Sequence, residues 1–384
     1  MSATDFRARL EALAADDLLR TRLVLDAPCG PEAVVDGQRL ISFAGNDYLG
    51  LANHPEIVDA FRAGAARWGV GAGASHLVSG HQRPHEELEA ALARFTGLPR
   101  ALYFSTGYMA NLAVLPALAG RGDTVIADRL NHASLVDAAL LSRATVRRYP
   151  HGDVAAAARM LEAADGRKVL VTDGVFSMDG DIAPLPELLD LCERHDALLV
   201  VDDAHGFGVL GEQGRGVLSR FGITSSRVIY VGTLGKAAGV AGAFVAGDAD
   251  AVEWLMQTGR SYRYTTAAPA ATACAVLASL RLIEAGDERR ARLAAHRQRM
   301  RQALATCRWP LMPSDTAIQP VQVGGNADVL ALSARLRERG LWVPAIRPPT
   351  VPAGSARLRV SLSAAHEAAQ IDALCVALNE AGHE

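Results

Sequence analysis

From about residue 55 to residue 247, short apolar runs alternate with stretches in which apolar residues recur three and four apart, and this alternation sets the fold class. The runs ALYFS, TVIAD, TVRRYP, KVLVTDG, ALLVVDD, VIYVGT and GAFVAG read as seven strands. HEELEAALARF, the stretch after Gly107, HASLVDAALL, DVAAAARMLEAA and PELLDLCERHD read as helices between them. Strands separated by helices predict an α/β fold with a mostly parallel seven-stranded sheet wrapped by helices. After Pro269 the pattern changes to two long helices, a strand IQPVQVG, a helix over 326–340, strands LWVPAI and ARLRVSL, and a closing helix from His366. That order predicts a smaller α+β domain. The segments expected are 1–45, a helix and strand; 46–275, the large domain; and 276–384, the small one. No internal repeat or flexible linker separates them.

Composition narrows the class. A chain of 384 residues, half of them hydrophobic, is long enough to bury roughly 75% of its unfolded surface. Its net charge of −3 exerts no pull on nucleic acid or an anionic membrane. Cys29, Cys192, Cys274, Cys307 and Cys375 are dispersed and form no CxxC pair, which argues for reduced thiols in the cytoplasm and against a disulfide scaffold or zinc ribbon. The N-terminus MSATDFRARLEALAADDLLR has the alternation of an amphipathic helix and no apolar targeting core. Ala267–Leu280 is too short to span a bilayer and reads as a buried helix.

The strand ends carry the chemistry. RVIYVGTLGKAAG closes a β-branched run in a small-residue turn bearing Lys236, and partial desolvation there favours the neutral amine that forms Schiff bases. ALLVVDDAHGFG likewise opens into Asp202, Asp203 and His205. An amine and a carboxylate at neighbouring strand ends suit pyridoxal phosphate, which needs a lysine, an anion at its pyridine nitrogen and a phosphate anchor. Thr106, Gly107 and Tyr108 stand where a strand meets a helix N-terminus, a natural anion site. Ser177 and Thr233 also follow strands, and ligands in open α/β sheets bind outside the carboxyl ends of strands. Taken singly, each of these is as well read as a turn or capping residue.

Two motifs point elsewhere and fail on context. GVGAGA at 69–74 fits a dinucleotide fingerprint, but the segment before it, EIVDAFRAGAARW, is helical rather than strand-like. The arginines of DERRARLAAHRQRMR read as a solvated helix face, balanced by acids elsewhere.

Together FAGNDYLGL (43–51), GAGASHLVSGHQRPHEELE (71–89), DRLNHASLVDA (128–138), TDGVFSMDGD (172–181), VDDAHGFGVLGEQGRG (201–216), TLGKAAG (233–239) and IRPPTVPAGSARLRVSLSAAH (346–366) resemble, in order, the α-oxoamine synthase family of fold-type I pyridoxal phosphate enzymes. The AIRPPTVPAG form is similar to the biotin-pathway branch. The resemblance implies a fold-type I transferase and assigns Lys236 to the cofactor and to movement of the α-proton, Asp202 to the pyridine nitrogen, and His205 to the phenolic oxygen. It implies that His132 stacks on the ring, although a lone histidine at a helix start would otherwise read as a cap. Thr106, Gly107, Tyr108, Ser177 and Thr233 match cofactor contacts. Arg347 matches the arginine that grips the amino-acid carboxylate, with Arg20, Asn46 and Thr350 along the substrate path. Asp173 stands where the family often has glutamate, and Ala238 where it has a bulkier residue. The implied reaction is a decarboxylating condensation of L-alanine with a pimeloyl thioester, carried by CoA or acyl carrier protein, in a homodimer whose Thr265 and Thr266 reach the partner's phosphate. A glycine-using member of the family, or a protein that keeps the fold without turnover, is the alternative.

Overall fold

The structure is a computed structural model that describes residues 3–382. Met1, Ser2, His383 and Glu384, the ends of the first and last expected segments, lie outside the described residues. The chain divides into two compact units, one comprising Leu49–Ser177 and Asp181–Arg290, the other Met1–Tyr48, Met178–Gly180 and Ala291–Glu384. The N-terminal segment thus groups with the C-terminal part of the chain. Among the described residues no helix is long and apolar enough to cross a membrane.

The larger unit is built on seven strands, numbered here β1 (Arg100–Phe104), β2 (Thr124–Asp128), β3 (Thr145–Tyr149), β4 (Lys168–Asp173), β5 (Ala197–Asp202), β6 (Val228–Thr233) and β7 (Ala243–Gly247). Their order in the sheet is β1-β7-β6-β5-β4-β2-β3. Every pairing is parallel except the two made by β7. Because β7 runs against both β1 and β6, those two point the same way as the rest. The carboxyl ends of six strands therefore share one edge.

Register then brings particular residues level. Asp173 pairs with Asp202, and Asp202 with Val231, while Ala243 of β7 pairs with both Thr233 and Phe104. The inner strands are buried on both faces, as parallel sheets covered by helices require, and their apolar runs of valine, leucine and isoleucine follow from that. One core cluster joins Val169, Val171, Val200, Ile229 and Val231 to Val114, Leu115 and Leu118 of the helix Gly107–Leu118. Ala267–Leu280 lies mainly in the helix Ala270–Glu284, most of whose first three turns are buried. GVGAGA follows the helix Pro55–Trp68, so no strand leads into it.

The second unit holds two three-stranded sheets. Glu32–Val35, Gln38–Ser42 and Leu341–Trp342 form one, and Ile318–Gly324, Ala356–Ser361 and Ala345–Ile346 the other. The run LWVPAI, expected as a single strand, is split between them. Pro344 has no N–H to give a ladder, and its carbonyl accepts instead from the Arg359 amide at 3.1 Å. The closing helix begins at Ala368, two residues later than expected, because Glu367 forms its capping box with Gln370.

Candidate active site

A cavity of about 210 Å³ opens at the shared strand edge, lined by Gly107, Tyr108, His132, Ser134, Asp173, Val175, Ser177, Asp202, Ala204, His205, Val231, Thr233 and Lys236. Eight of the sequence-derived candidates lie on this one wall. Thr106 is adjacent as the N-cap of the helix Gly107–Leu118, its Oγ1 accepting from the Met109 amide at 3.2 Å. The first N–H groups of that helix are the unsatisfied donors that attract an anion.

Lys236 is half-buried, and its Nζ lies 2.9 Å from His205 Nε2. Its turn is held from several sides. Leu234 N donates to Gly242 O at 2.8 Å, Gly239 N to Lys236 O at 2.8 Å, and Ser279 Oγ to Ala238 O at 2.6 Å. Gly239 has φ of 66°, and a Cβ there would lie 2.5 Å from Ala52 N. Only glycine closes this turn.

Asp202 and Asp203 diverge although they are neighbours. Asp202 lines the cavity, its Oδ1 accepting from the Ala204 amide at 3.1 Å and its Oδ2 from Asn111 Nδ2 at 2.7 Å. Asp203 points into the protein, accepting from Tyr230 OH at 2.7 Å and the Val217 amide at 2.8 Å. Burial pushes its carboxyl up to about 7, against the pull of those donors. A Cβ on Gly206 would meet Asp203 Oδ1 at 2.1 Å, which accounts for glycine in DDAHG.

His132 both lines the cavity and caps the helix Ala133–Ser142, so the capping role open in the sequence is present alongside the other. Burial lowers its imidazole below the ordinary range, the pull of Asp202 upward being opposed by Lys236. Its backbone N–H donates to the Asp173 carboxylate at 3.2 Å. Asp173 is pushed well up, by burial first and then by the charge of Asp202. The Tyr108 hydroxyl bonds to Asp137 and its ring is partly exposed.

Three lining or supporting residues escape a sequence reading: Asn111, Ser134 and, as a cavity residue, Asp173. Asn111 carried a signal only as a lone amide in the apolar helix GYMANLAVLPAL, and Asp173 only as a departure from the family pattern.

Arg20, Asn46, Arg347 and Thr350 belong to the second unit. Arg347 is buried, its guanidinium bonding to the Asp17 carbonyl, and Arg20 Nη2 donates to the carbonyls of Arg347 at 3.4 Å and Pro348 at 3.3 Å. The Thr350 amide bonds to Arg347 O at 3.1 Å. Arg20, Arg347 and Thr350 are thus brought together. Asn46 stands apart, its Oδ1 accepting from Arg359 Nη1 and Tyr48 OH, each at 3.1 Å. Thr265 and Thr266 lie in the loop between the helices Arg260–Arg263 and Ala270–Glu284 and are not among the lining residues.

The turn carrying Ser177 is anchored by His151, whose Nδ1 lies 3.1 Å from Asp128 Oδ1 and whose Nε2 lies 2.8 Å from Asp181 Oδ2. Burial alone would lower this imidazole, but the two carboxylates raise it to about 10. A raised folded-state value contributes stability that is complete below the unfolded value of 6.5 and is lost as pH climbs towards 10. His151→Gln is therefore expected to lower the melting temperature at pH 7 by several degrees and to flatten the decline on the alkaline side. Thermal melts from pH 6 to pH 10 check this; parallel curves for the two proteins would contradict it.

A second cluster, His76, His81 and His85, lies beside Glu86 and Glu89. His85 spends both nitrogens, accepting from the Gln82 amide at 3.0 Å and facing the Ala268 carbonyl at 2.9 Å. His76 and His81 face each other through Nδ1 atoms 3.0 Å apart.

An amine, a carboxylate and a helix N-terminus around one cavity with valine walls match the needs of a phosphorylated aromatic aldehyde, and the donor set fits pyridoxal phosphate. Comparison with known proteins agrees. Residues 38–378 match the family model described as aminotransferase class I and II. The 8-amino-7-oxononanoate synthase of Azoarcus sp. (strain BH72) is 59% identical over 378 residues, covering 98% of this chain and 97% of that protein. That of Aromatoleum aromaticum is 60% identical over 374 residues, covering 97% of each. Among solved structures, a serine palmitoyltransferase variant from S. paucimobilis with a bound PLP–myriocin adduct superposes with a TM-score of 0.93 at 31% identity, over 99% of this chain and 97% of that one. The crystal structure of 8-amino-7-oxononanoate synthase from Francisella tularensis gives 0.78 at 33%, over 90% and 98%. The chain belongs to the aminotransferase class I and II family, and within it to the 8-amino-7-oxononanoate synthases.

Proposed function

We propose that the protein is a pyridoxal phosphate-dependent acyltransferase that condenses L-alanine with a pimeloyl thioester to give 8-amino-7-oxononanoate, carbon dioxide and the free thiol, in biotin biosynthesis. The observation that carries this reading is the convergence of Lys236, His205 and Asp202 on one cavity at a helix N-terminus, in a chain about 60% identical to synthases of that name. When bound, the cofactor supplies an electron-withdrawing ring that accepts the pair released at the amino acid's α-carbon.

The chain's own residues do the rest. Lys236 would hold the cofactor at its aldehyde, and its amine, 2.9 Å from His205 Nε2, would take the amino acid's α-proton and later return one. Asp202 keeps the pyridine nitrogen protonated, which the carboxylate does best because Asn111 and the Ala204 amide hold it in place. His205 donates to the phenolic oxygen and His132 packs on the ring. Thr106, Gly107, Tyr108 and Thr233 hold the phosphate, Ser177 adds a further contact, and Arg347 grips the substrate carboxylate bidentately, with Arg20, Asn46 and Thr350 along the path. A carbon–carbon bond forms between the amino acid's α-carbon and the acyl carbon as the carbon–sulfur bond breaks. The carboxylate then leaves as carbon dioxide.

In this reading the protein works as a homodimer in the cytoplasm on L-alanine and a pimeloyl thioester of CoA or acyl carrier protein, without membrane or nucleic-acid partners. Incubating it with pyridoxal phosphate, one of alanine, glycine or serine, and one of pimeloyl, acetyl or succinyl thioesters on CoA or carrier protein tests the reading by mass spectrometry. Alanine with a pimeloyl donor is expected to give 8-amino-7-oxononanoate. Preference for glycine with a short acyl donor would place the chain among the other α-oxoamine synthases.

A further inference from the structure

Asn111, one turn into the helix Gly107–Leu118, is 1% exposed. Its Nδ2 donates to Asp202 Oδ2 at 2.7 Å and to Ser134 Oγ at 2.9 Å, so both amide hydrogens are used. Its Oδ1 is buried and meets no donor. A buried unpaired acceptor is a standing cost, but flipping the amide would set a carbonyl against the Asp202 carboxylate. The orientation is thereby fixed by chemistry.

The consequence passes on to His132. Ser134 Oγ accepts from Asn111 and lies 2.7 Å from His132 Nδ1, close enough to give that nitrogen its one hydrogen. The Ser134 backbone N–H, which can only donate, also points at His132 Nδ1 at 3.3 Å. Two donors converging on one ring nitrogen leave no room for a proton there.

We propose that Asn111 and Ser134 are positioning residues, a buried hydrogen-bond chain that locks the Asp202 carboxylate and the His132 imidazole into one unit, with Nδ1 of His132 bare and the hydrogen on Nε2. Its effect on the bound cofactor rests on the function proposed above; the chain itself does not. The two ring-facing groups are set together, so the anion that holds the pyridine proton and the imidazole against the ring do not move independently.

Protein labelled with nitrogen-15 at histidine tests this, first without cofactor and then with pyridoxal phosphate, His132→Gln assigning the resonances. Wild type is expected to show an unprotonated Nδ1 and a protonated Nε2 at His132 from pH 7 to pH 9; a protonated Nδ1 overturns the proposal outright. In Ser134→Ala the ratio of the two tautomers shifts by roughly fivefold towards Nδ1–H, the effect of one lost hydrogen bond, and Ser134→Thr restores it. Should Ser134→Ala not fold, Asn111→Ser is read the same way, because the serine hydroxyl is then able to accept from Nδ1–H. In cofactor-loaded protein, Asn111→Ala is expected to shift the pH midpoint of the visible absorbance by about one unit. Variants that keep wild-type resonances and the wild-type midpoint contradict the proposal. If the cofactor-free spectra agree but borohydride leaves no cofactor on the protein, the functional reading fails and the hydrogen-bond chain stands.

Discussion

Lys236→Ala is expected to lower product formation by roughly four orders of magnitude or more, because it removes at once the covalent tether and the base that moves the α-proton. The loss is chemical rather than structural. The turn around Lys236 is held by backbone bonds between Leu234 and Gly242 and between Gly239 and Lys236 itself, and by Ser279 on Ala238, none of which uses the lysine side chain. The variant should therefore melt within a few degrees of the wild type while binding pyridoxal phosphate without a covalent bond. Turnover within tenfold of wild type, measured by mass spectrometry of the product, would contradict the assignment.

Asp202→Asn is expected to cost about 10²–10³ in turnover, the usual effect of removing one preorganised electrostatic partner of a developing charge. Asparagine keeps the shape and one acceptor but not the negative charge that holds the pyridine proton. The neighbouring substitution supplies the control. Asp203 is fully buried, with Tyr230, Val217 and three close glycines around it, so Asp203→Asn should lower the melting temperature and leave the cofactor's absorbance unchanged in whatever folds. An absorbance change in Asp203→Asn, with none in Asp202→Asn, would reverse the roles given to the two carboxylates.

The contrast between those two aspartates shows what a sequence can carry. ALLVVDD announces a buried strand ending in acid, but which of the two acids faces the cavity is decided by alternation across the sheet and by the glycines that receive the other. The strand ends at Thr106, Asp202, Thr233 and Lys236 were legible because short apolar runs stop abruptly at polar residues, and parallel order then places such ends together. Asn111 and Ser134 were not, because their meaning lies in partners 91 and 23 residues from Asn111, a proximity created only when the strands align. Asp173 was visible only as a departure from a family pattern, whereas in the sheet it pairs with Asp202, and burial first, then the charge of that neighbour, pushes its carboxyl up. The grouping of Met1–Tyr48 with the C-terminal part of the chain left no local signature either. The strand Gln38–Ser42 pairs with Leu341–Trp342, a partner that hydrophobic pattern alone does not choose.

The central claim is that Lys236 carries the cofactor. Reducing the protein with borohydride in the presence of pyridoxal phosphate, digesting it and mapping the modified peptide by mass spectrometry tests that claim most directly. One pyridoxyl group on the lysine of TLGKAAG, absent from Lys236→Ala, is the expected result. A label on Lys168 instead, or none at all, would contradict the account.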